Sequence, residues 1–119
     1  MTRHNFRQLK IWRTGLDIAK DVYTIVEFFP PAEKYGLTSQ IKRSAVSVPS
    51  NIAEGASRKS TKEFQHYLDI SIGSLFELET QLTLSYELGF IDQKTYSKIE
   101  TKLVELQKMI YGFSKSLSS

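Results

Sequence analysis

The chain has 119 residues, with 16 Lys and Arg against 13 Asp and Glu, a net charge of +3 and no cysteine. This length predicts one domain with its own buried core, and the lack of cysteine excludes a disulfide framework, a thiolate metal site and a thiol nucleophile. No apolar run approaches the roughly 18–20 residues of a membrane span, and residues 1–7 lack the apolar core of a secretory signal. The sequence therefore predicts a soluble, cytoplasmic protein without membrane contact.

The first predicted helix covers about residues 5–28, and its apolar residues form two stripes. One stripe consists of Leu9, Trp12, Leu16, Ala19, Tyr23 and Val26, and the other of Ile11, Gly15, Ile18, Val22, Ile25 and Phe29. A helix in a bundle needs one apolar stripe to face a single core. We therefore expect the extra apolar surface to be buried between copies of the chain; the alternative is one wide core-facing arc with a few exposed apolar residues.

The second predicted helix follows Pro30-Pro31 and covers about residues 34–55. Pro49 lies inside it, which predicts either a kink or a break into two short helices. One face of this helix is polar at helical spacing, and its members are Gln40, Arg43, Ser47, Asn51, Glu54 and Arg58.

The third and fourth predicted helices cover about residues 61–88 and 93–116. Ser60 and Glu63 form a capping-box pattern at the start of the third, and Asp92 is placed to cap the fourth. The third helix carries a polar stripe of Ser71, Ser74, Glu77 and Gln81, and apolar residues outside its main seam at Ile70, Ile72, Phe76, Leu84 and Leu88. If the second and third helices fold back on each other, Arg43 is expected to contact Glu77; the alternative is two solvated faces.

These elements predict an all-α fold, an antiparallel up-down-up-down four-helix bundle over residues 1–119. The extra apolar surface on the first and third helices predicts a homo-oligomer.

Catalytic and metal-binding motifs are absent from the sequence, except that Glu63 and His66 match the Glu-x-x-His element of di-iron bundles. Such sites need this element on two helices, and this chain has one copy. We therefore expect a protein that is not an enzyme, with no catalytic residue, metal, cofactor or small-molecule substrate.

Positive charge is concentrated in the first half of the chain. Residues 1–62 carry eleven Lys and Arg against five acidic residues, whereas residues 63–119 carry five Lys against eight acidic residues. Clusters of this kind contact phosphates and carry little sequence information. The candidate nucleic-acid contacts are Arg3, Arg7 and Lys10, which would form a ridge along the first helix, and Arg58, Lys59 and Lys62. The alternative is a structural or protein-partner scaffold whose basic residues serve subunit contacts or solubility.

The stretch Gln40 to Gly55, QIKRSAVSVPSNIAEG, resembles the four helix bundle protein family that was first noticed in intervening sequences of bacterial 23S rRNA genes. Supporting matches are Leu9-Lys10-Ile11-Trp12, Phe29-Pro30, Tyr35-Gly36-Leu37-Thr38, Gly73 to Glu79 and Leu88-Gly89-Phe90-Ile91. Ser44 is a mild departure, because the family more often has Ala there.

The resemblance implies a homopentameric ring of up-down-up-down bundles and no catalytic residues. The related accessory proteins of diversity-generating retroelements bind nucleic acid and a reverse transcriptase through basic surfaces. We interpret the family-motif positions as residues that pack the helices together and fix their register through polar contacts. They are Gln40, Arg43, Asn51, Glu54, Gly55, Gly73 and Glu77. A glycine inside a helix is costly, so Gly73 predicts a close helix approach.

Overall fold

The computed structural model describes residues 4–118, and within this range it contains α-helices and short 3-10 turns but no strand. The helices are α1, Lys10–Val26; α2, Leu37–Ala56; α3, Thr61–Glu87; and α4, Gln93–Ser116. The 3-10 turns are Phe6–Gln8 and Pro31–Glu33. The predicted all-α fold with four helices is confirmed.

The start of α1 differs from the sequence prediction. Asn5 Oδ1 accepts the N–H of Arg7 at 3.2 Å and starts a 3-10 turn, and Leu9 is extended with φ −80° and ψ 123°. This extended residue separates the turn from α1, which begins at Lys10 instead of near residue 5. Arg7 and Lys10 therefore do not form the ridge on one helix that their spacing predicts.

Helix α2 continues through Pro49, so the predicted alternative of two short helices is wrong. Pro49 is buried, and Gly15 of α1 lies against it. An added Cβ at Gly15 would lie 3.4 Å from Val48 Cγ1 and 3.6 Å from Pro49 Cβ. A methyl group at Gly15 would thus make ordinary van der Waals contacts with Val48 and Pro49.

Helix α1 buries one of its apolar stripes almost completely within the chain and the other only in part. Ile11, Ile18 and Val22 of one stripe are core residues, and so are Ala19 and Val26 of the other; Leu9 and Trp12 pack against the core edge. In the stripe of Leu9 and Trp12, Leu16 is half-buried and Tyr23 is 45% exposed, so the burial of extra α1 surface between copies stays a prediction. Helix α1 lies against both α2 and α4, which requires a wide apolar arc.

Further exposed apolar surface lies on α3. Ile70, Phe76, Leu84 and Leu88 are between 39% and 55% exposed, whereas Ile72 belongs to the core. Helix α3 contacts α2 and α4 on its other sides.

The helix ends are held by the caps that the sequence predicts. Ser60 Oγ accepts the N–H of Glu63 at 3.1 Å, and Asp92 Oδ1 accepts the N–H of Thr95 at 2.7 Å. Gln65 Nε2 donates to the carbonyl of Ser114 at 2.9 Å, so the end of α4 lies beside the start of α3. At the opposite end, the rings of Phe29 and Phe90 pack with centroids 5.5 Å apart.

Over residues 4–118, no helix has the length and apolarity that crossing a lipid bilayer requires.

Candidate nucleic-acid interface

The segment before α1 packs on the end of the bundle where α2 ends, α3 begins and α4 ends. The N–H of His4 donates to the carbonyl of Ala56 at 3.3 Å. The His4 ring meets the ring of Phe64 at 5.2 Å and that of Phe113 at 6.0 Å, both edge-on. These contacts place the turn that carries Arg7 at the same end as the α2–α3 connection.

We call the cationic surface at this end the basic pole; it consists of Arg7, Arg58, Lys59, Lys62 and Lys115. Arg7, Lys59, Lys62 and Lys115 are exposed, and none of them forms an ion pair within residues 4–118. Sequence reasoning missed Lys115, because its place in the pole follows only from the position of the end of α4. The signal available in the sequence was a lysine in the last turn of a helix, where the helix dipole favours a cation.

Arg58 has partners within the chain. Its Nη2 donates to Glu54 Oε1 at 2.5 Å and to the Tyr67 hydroxyl at 2.9 Å, and its Cζ lies 4.8 Å from the centre of the Tyr67 ring. Arg58 therefore clamps the end of α2 to the first turns of α3. Its guanidinium is already engaged and is less available to phosphate than the exposed lysines.

The acidic side chains at the pole are engaged by their neighbours. Glu54 pairs with Arg58, and Glu63 Oε1 accepts the Ser60 hydroxyl at 3.1 Å as part of the capping box. The exposed cations of the pole are therefore not neutralised by these carboxylates.

Two further contacts were predicted. Arg3 is outside the described residues. Lys10 lines a groove between α1 and α4 together with Lys102 and Glu105.

A chain of hydrogen bonds joins α2 and α3. Ser47 Oγ and Ser74 Oγ are 2.8 Å apart, and Asn51 Nδ2 donates to the Ser47 carbonyl at 2.8 Å and to Ser47 Oγ at 2.9 Å. Ser71, fully buried, donates its hydroxyl to the carbonyl of Val48 at 2.8 Å. The bonds from Ser47 to Ser74 and from Ser71 to Val48 join the two helices, whereas Asn51 supports Ser47 from within α2.

The predicted contact between Arg43 and Glu77 is wrong. The partner of Glu77 is Ser44, whose hydroxyl donates to Glu77 Oε1 at 2.7 Å. Arg43 and Gln40 are exposed, and their side chains form no hydrogen bond or ion pair within the described part of the chain. The physical reason is the rotation of about 100° per residue, which turns Ser44 toward α3 and Arg43 outward.

The close approach of helices occurs at Gly55 and not at Gly73. An added Cβ at Gly55 would lie 2.8 Å from Phe64 Cδ1 and 2.9 Å from Tyr67 Cβ, whereas one at Gly73 would have no atom of this chain within 4 Å. Gly73 is exposed in the middle of the apolar face of α3.

The Glu63 and His66 pair gains no further ligand. Between residues 4 and 118, no group of three or more His, Asp or Glu side chains is placed to hold a metal ion. His66 is exposed, and its ring lies 5.4 Å from that of Tyr67.

Clear pKa shifts belong to helix caps and helix pairs. A hydrogen bond from Arg13 lowers the pKa of Asp17, and the N–H of Thr95 lowers the pKa of Asp92. For Tyr96, the hydrogen bond with Thr83 lowers the pKa, but burial and the bond to Glu100 outweigh it and the net pKa is raised. These groups support local structure.

The helices and the basic pole define a small all-α protein with one strongly cationic end. The chain belongs to the 23S rRNA-intervening sequence protein family, whose model matches residues 7–112. A solved structure described as a protein of unknown function from the S23 ribosomal protein family of Bacteroides thetaiotaomicron VPI-5482 has a similar fold, with a TM-score of 0.82 and 24% identity. The alignment covers 88% of this chain and 98% of that chain. No protein of curated function matches the chain.

Proposed function

We propose that this chain is a cytoplasmic, non-enzymatic protein that assembles into a homopentameric ring and binds RNA or another nucleic acid through phosphate contacts at its basic pole. The observation that carries the proposal is the set of exposed, unpaired cations Arg7, Lys59, Lys62 and Lys115 at one end of the bundle. Phosphate contacts of this kind give binding that depends on salt but not on sequence. Repetition of the pole around a ring would strengthen weak single contacts through avidity.

The arrangement within each subunit is proposed to be the antiparallel up-down-up-down bundle. Its support is the order of the α2–α3 contacts, in which Ser44 meets Glu77 and Ser47 meets Ser74. Residue numbers rise on one helix while they fall on the other, as in a helical hairpin.

The ring is supported by the exposed face of α3. Ile70, Phe76, Leu84 and Leu88 lie on this face, and Gly73 at its centre leaves room for another backbone to come close. A mid-helix glycine without a contact in its own chain is destabilising by roughly 0.5–1 kcal/mol relative to alanine. A second copy of the chain packed at Gly73 would account for both features.

Charge complementarity supports a second copy as the occupant of this face. Residues 63–87 of α3 contain five acidic residues and no Lys or Arg, so the surface of α3 is acidic as well as apolar. Arg43 on α2 is exposed without a partner, as described above, and Glu77 has an exposed carboxylate. A contact of α2 of one copy with α3 of the next uses two different surfaces, and such contacts form a ring when the rotation between copies closes.

Nucleic-acid binding is tested by titrating ribosomal RNA fragments at two salt concentrations. We expect binding at low salt that weakens steeply as salt rises, and weaker binding by Lys59→Glu and Lys62→Glu. Lys108→Glu, on the exposed side of α4, is the matched control with the same change of charge. Absence of binding at low salt, or binding insensitive to salt, would contradict the proposal.

Assembly is tested by the absolute mass of the particle in light scattering, with and without nuclease treatment. We expect five times the 13.7 kDa of the chain, and a smaller particle for Phe76→Glu. Tyr111→Glu places the same charge on an exposed aromatic position of α4 and should leave the mass unchanged. A well-folded particle of 13.7 kDa for the unchanged chain would refute the ring.

The second candidate function is a structural or protein-partner scaffold without nucleic-acid binding. The exposed apolar face of α3 is the observation that favours it, because faces of this kind are typical of interaction surfaces. Recovery of a defined protein partner from nuclease-treated lysate, together with no RNA binding at low salt, would favour this function.

A further inference from the structure

A second cationic surface lies at the end of the bundle opposite to the basic pole. A groove of about 310 Å³ runs between the last turns of α1 and the first turns of α4. It is lined by Asp21, Thr24, Ile25, Lys94, Thr95, Lys98, Ile99 and Lys102. The three lysines are spaced by four residues, so they form a row along one side of α4 with a rise of about 6 Å per step.

Two of these lysines are free to meet an anion. Lys102 Nζ is held by Asp21 Oδ2 at 2.7 Å, whereas Lys94 and Lys98 are exposed and form no ion pair in residues 4–118. Three carboxylates near them have other partners, because Asp21 binds Lys102, Asp92 caps α4 and Glu100 accepts the hydroxyl of Tyr96. The part of the groove beside Lys94 and Lys98 is therefore positively charged. The apolar side chains of Ile25 and Ile99 also line the groove.

An exposed aromatic residue follows the α1 residues that line this groove. Phe28 is 81% exposed and follows Thr24 and Ile25 by four and three positions. The backbone is still turned there, since Glu27 is in the αR region and its N–H donates to the carbonyl of Thr24 at 3.3 Å. Residues at this spacing share one side of a helical turn, which places Phe28 beyond the mouth of the groove.

We propose that Phe28, Lys94 and Lys98 form a binding site for a nucleotide unit of single-stranded nucleic acid. A base stacks on the ring of Phe28, and the phosphates on either side meet Lys98 and Lys94. Aromatic side chains combined with lysines along a groove are the arrangement by which proteins bind single strands without sequence preference. The inference rests on the proposed function for its class of ligand, but its residues lie at the opposite end of the bundle from the basic pole.

The test measures the fluorescence anisotropy of a labelled ten-nucleotide oligo(U) and, separately, of a 16-base-pair RNA duplex at low salt. Phe28→Ala and Lys98→Glu are each expected to weaken oligo(U) binding by about tenfold, because stacking and a phosphate contact are lost. Duplex binding is expected to change by less than twofold. Tyr111→Ala and Lys108→Glu, which change an exposed aromatic ring and an exposed lysine of α4 outside the groove, are the matched controls.

The outcomes separate this site from the basic pole. If the unchanged protein binds the duplex but not oligo(U), or if the two groove variants bind oligo(U) as their controls do, the inference is overturned and the pole stands. If Lys59→Glu and Lys62→Glu lose the duplex while the groove variants lose oligo(U), both sites are supported. A competition arm with free AMP distinguishes the source of the nucleotide: displacement of oligo(U) by AMP at equal nucleotide concentration would overturn the assignment to a strand.

Discussion

Ser44 donates its hydroxyl proton to Oε1 of Glu77 over 2.7 Å, and this bond replaces the ion pair that the polar pattern predicts for Arg43 and Glu77. Ser44 is buried on α2, whereas Glu77 is exposed on α3. The carboxylate thus keeps water on one side while it receives a hydrogen bond from the helix interface on the other. This leaves Arg43 available to a group outside its own subunit.

Replacement of Ser44 by Ala tests the value of this bond. We expect Ser44→Ala to lower the free energy of unfolding by about 1 kcal/mol, because a charge-assisted hydrogen bond is lost while the exposed acceptor is rehydrated. Urea denaturation measures the change. Ser50→Ala, at an exposed position of the same helix, should be neutral or slightly stabilising because Ala has a high helix propensity. Equal stability of Ser44→Ala and the unchanged protein would show that the bond contributes nothing.

Two glycines in helices should respond in opposite ways to the same substitution. Gly55→Ala is expected to lower stability by about 1–3 kcal/mol, because the new Cβ would meet Phe64 and Tyr67 at distances that require the helices to move apart. Gly73→Ala is expected to stabilise the isolated subunit by about 0.5–1 kcal/mol, because no atom of the chain opposes the new methyl group. Thermal unfolding compares the two, and a loss of stability in both variants would contradict the difference in packing.

Much of the fold follows from the sequence because its determinants are local. The three-and-four spacing of apolar residues places α2, α3 and α4, and the caps at Ser60 and Asp92 depend on residues three positions away. The wide apolar arc of α1 is a different case. Its spacing shows two stripes, but whether both are buried depends on how many helices lie beside α1, and this is a property of the assembled bundle.

The candidate site is harder to predict, because its members meet only through tertiary packing. Arg58 and Lys59 are neighbours in the sequence, yet Arg58 is held by Tyr67, which reaches it because Gly55 lets α2 and α3 approach. Lys115 joins the pole from a distant part of the chain. Ser44 follows Arg43 directly in the sequence. A small error in the predicted rotation of α2 is therefore enough to exchange which of the two residues contacts Glu77 on α3.

The cap at Asp92 should make stability depend on pH in the acidic range. The N–H of Thr95 lowers the pKa of Asp92 in the folded protein. A lowered folded-state pKa means that the contribution is complete above the pKa of the unfolded chain and is lost as pH falls through the folded-state pKa. We therefore expect Asp92→Ala to be less stable than the unchanged protein at pH 7, and the difference to shrink below about pH 4. Denaturant unfolding at several pH values measures it, and a difference that is constant from pH 7 to pH 3 would contradict the cap.

Substitutions of Arg58 and Lys62 compare a cation that we expect to stabilise the fold with one that we expect to bind nucleic acid. Arg58→Gln removes a partly exposed ion pair and the contact with Tyr67, so we expect a loss of at most about 1 kcal/mol of stability and little change in RNA affinity. Lys62→Gln should leave stability nearly unchanged and weaken RNA binding, with the slope of log K against log salt reduced by about 0.7 to 0.9 for each lost phosphate contact. Paired measurements of unfolding and of RNA titration at several salt concentrations decide the matter. If Arg58→Gln reduces the salt slope as much as Lys62→Gln does, its guanidinium leaves Glu54 to bind phosphate and the clamp at the end of α2 opens when nucleic acid arrives.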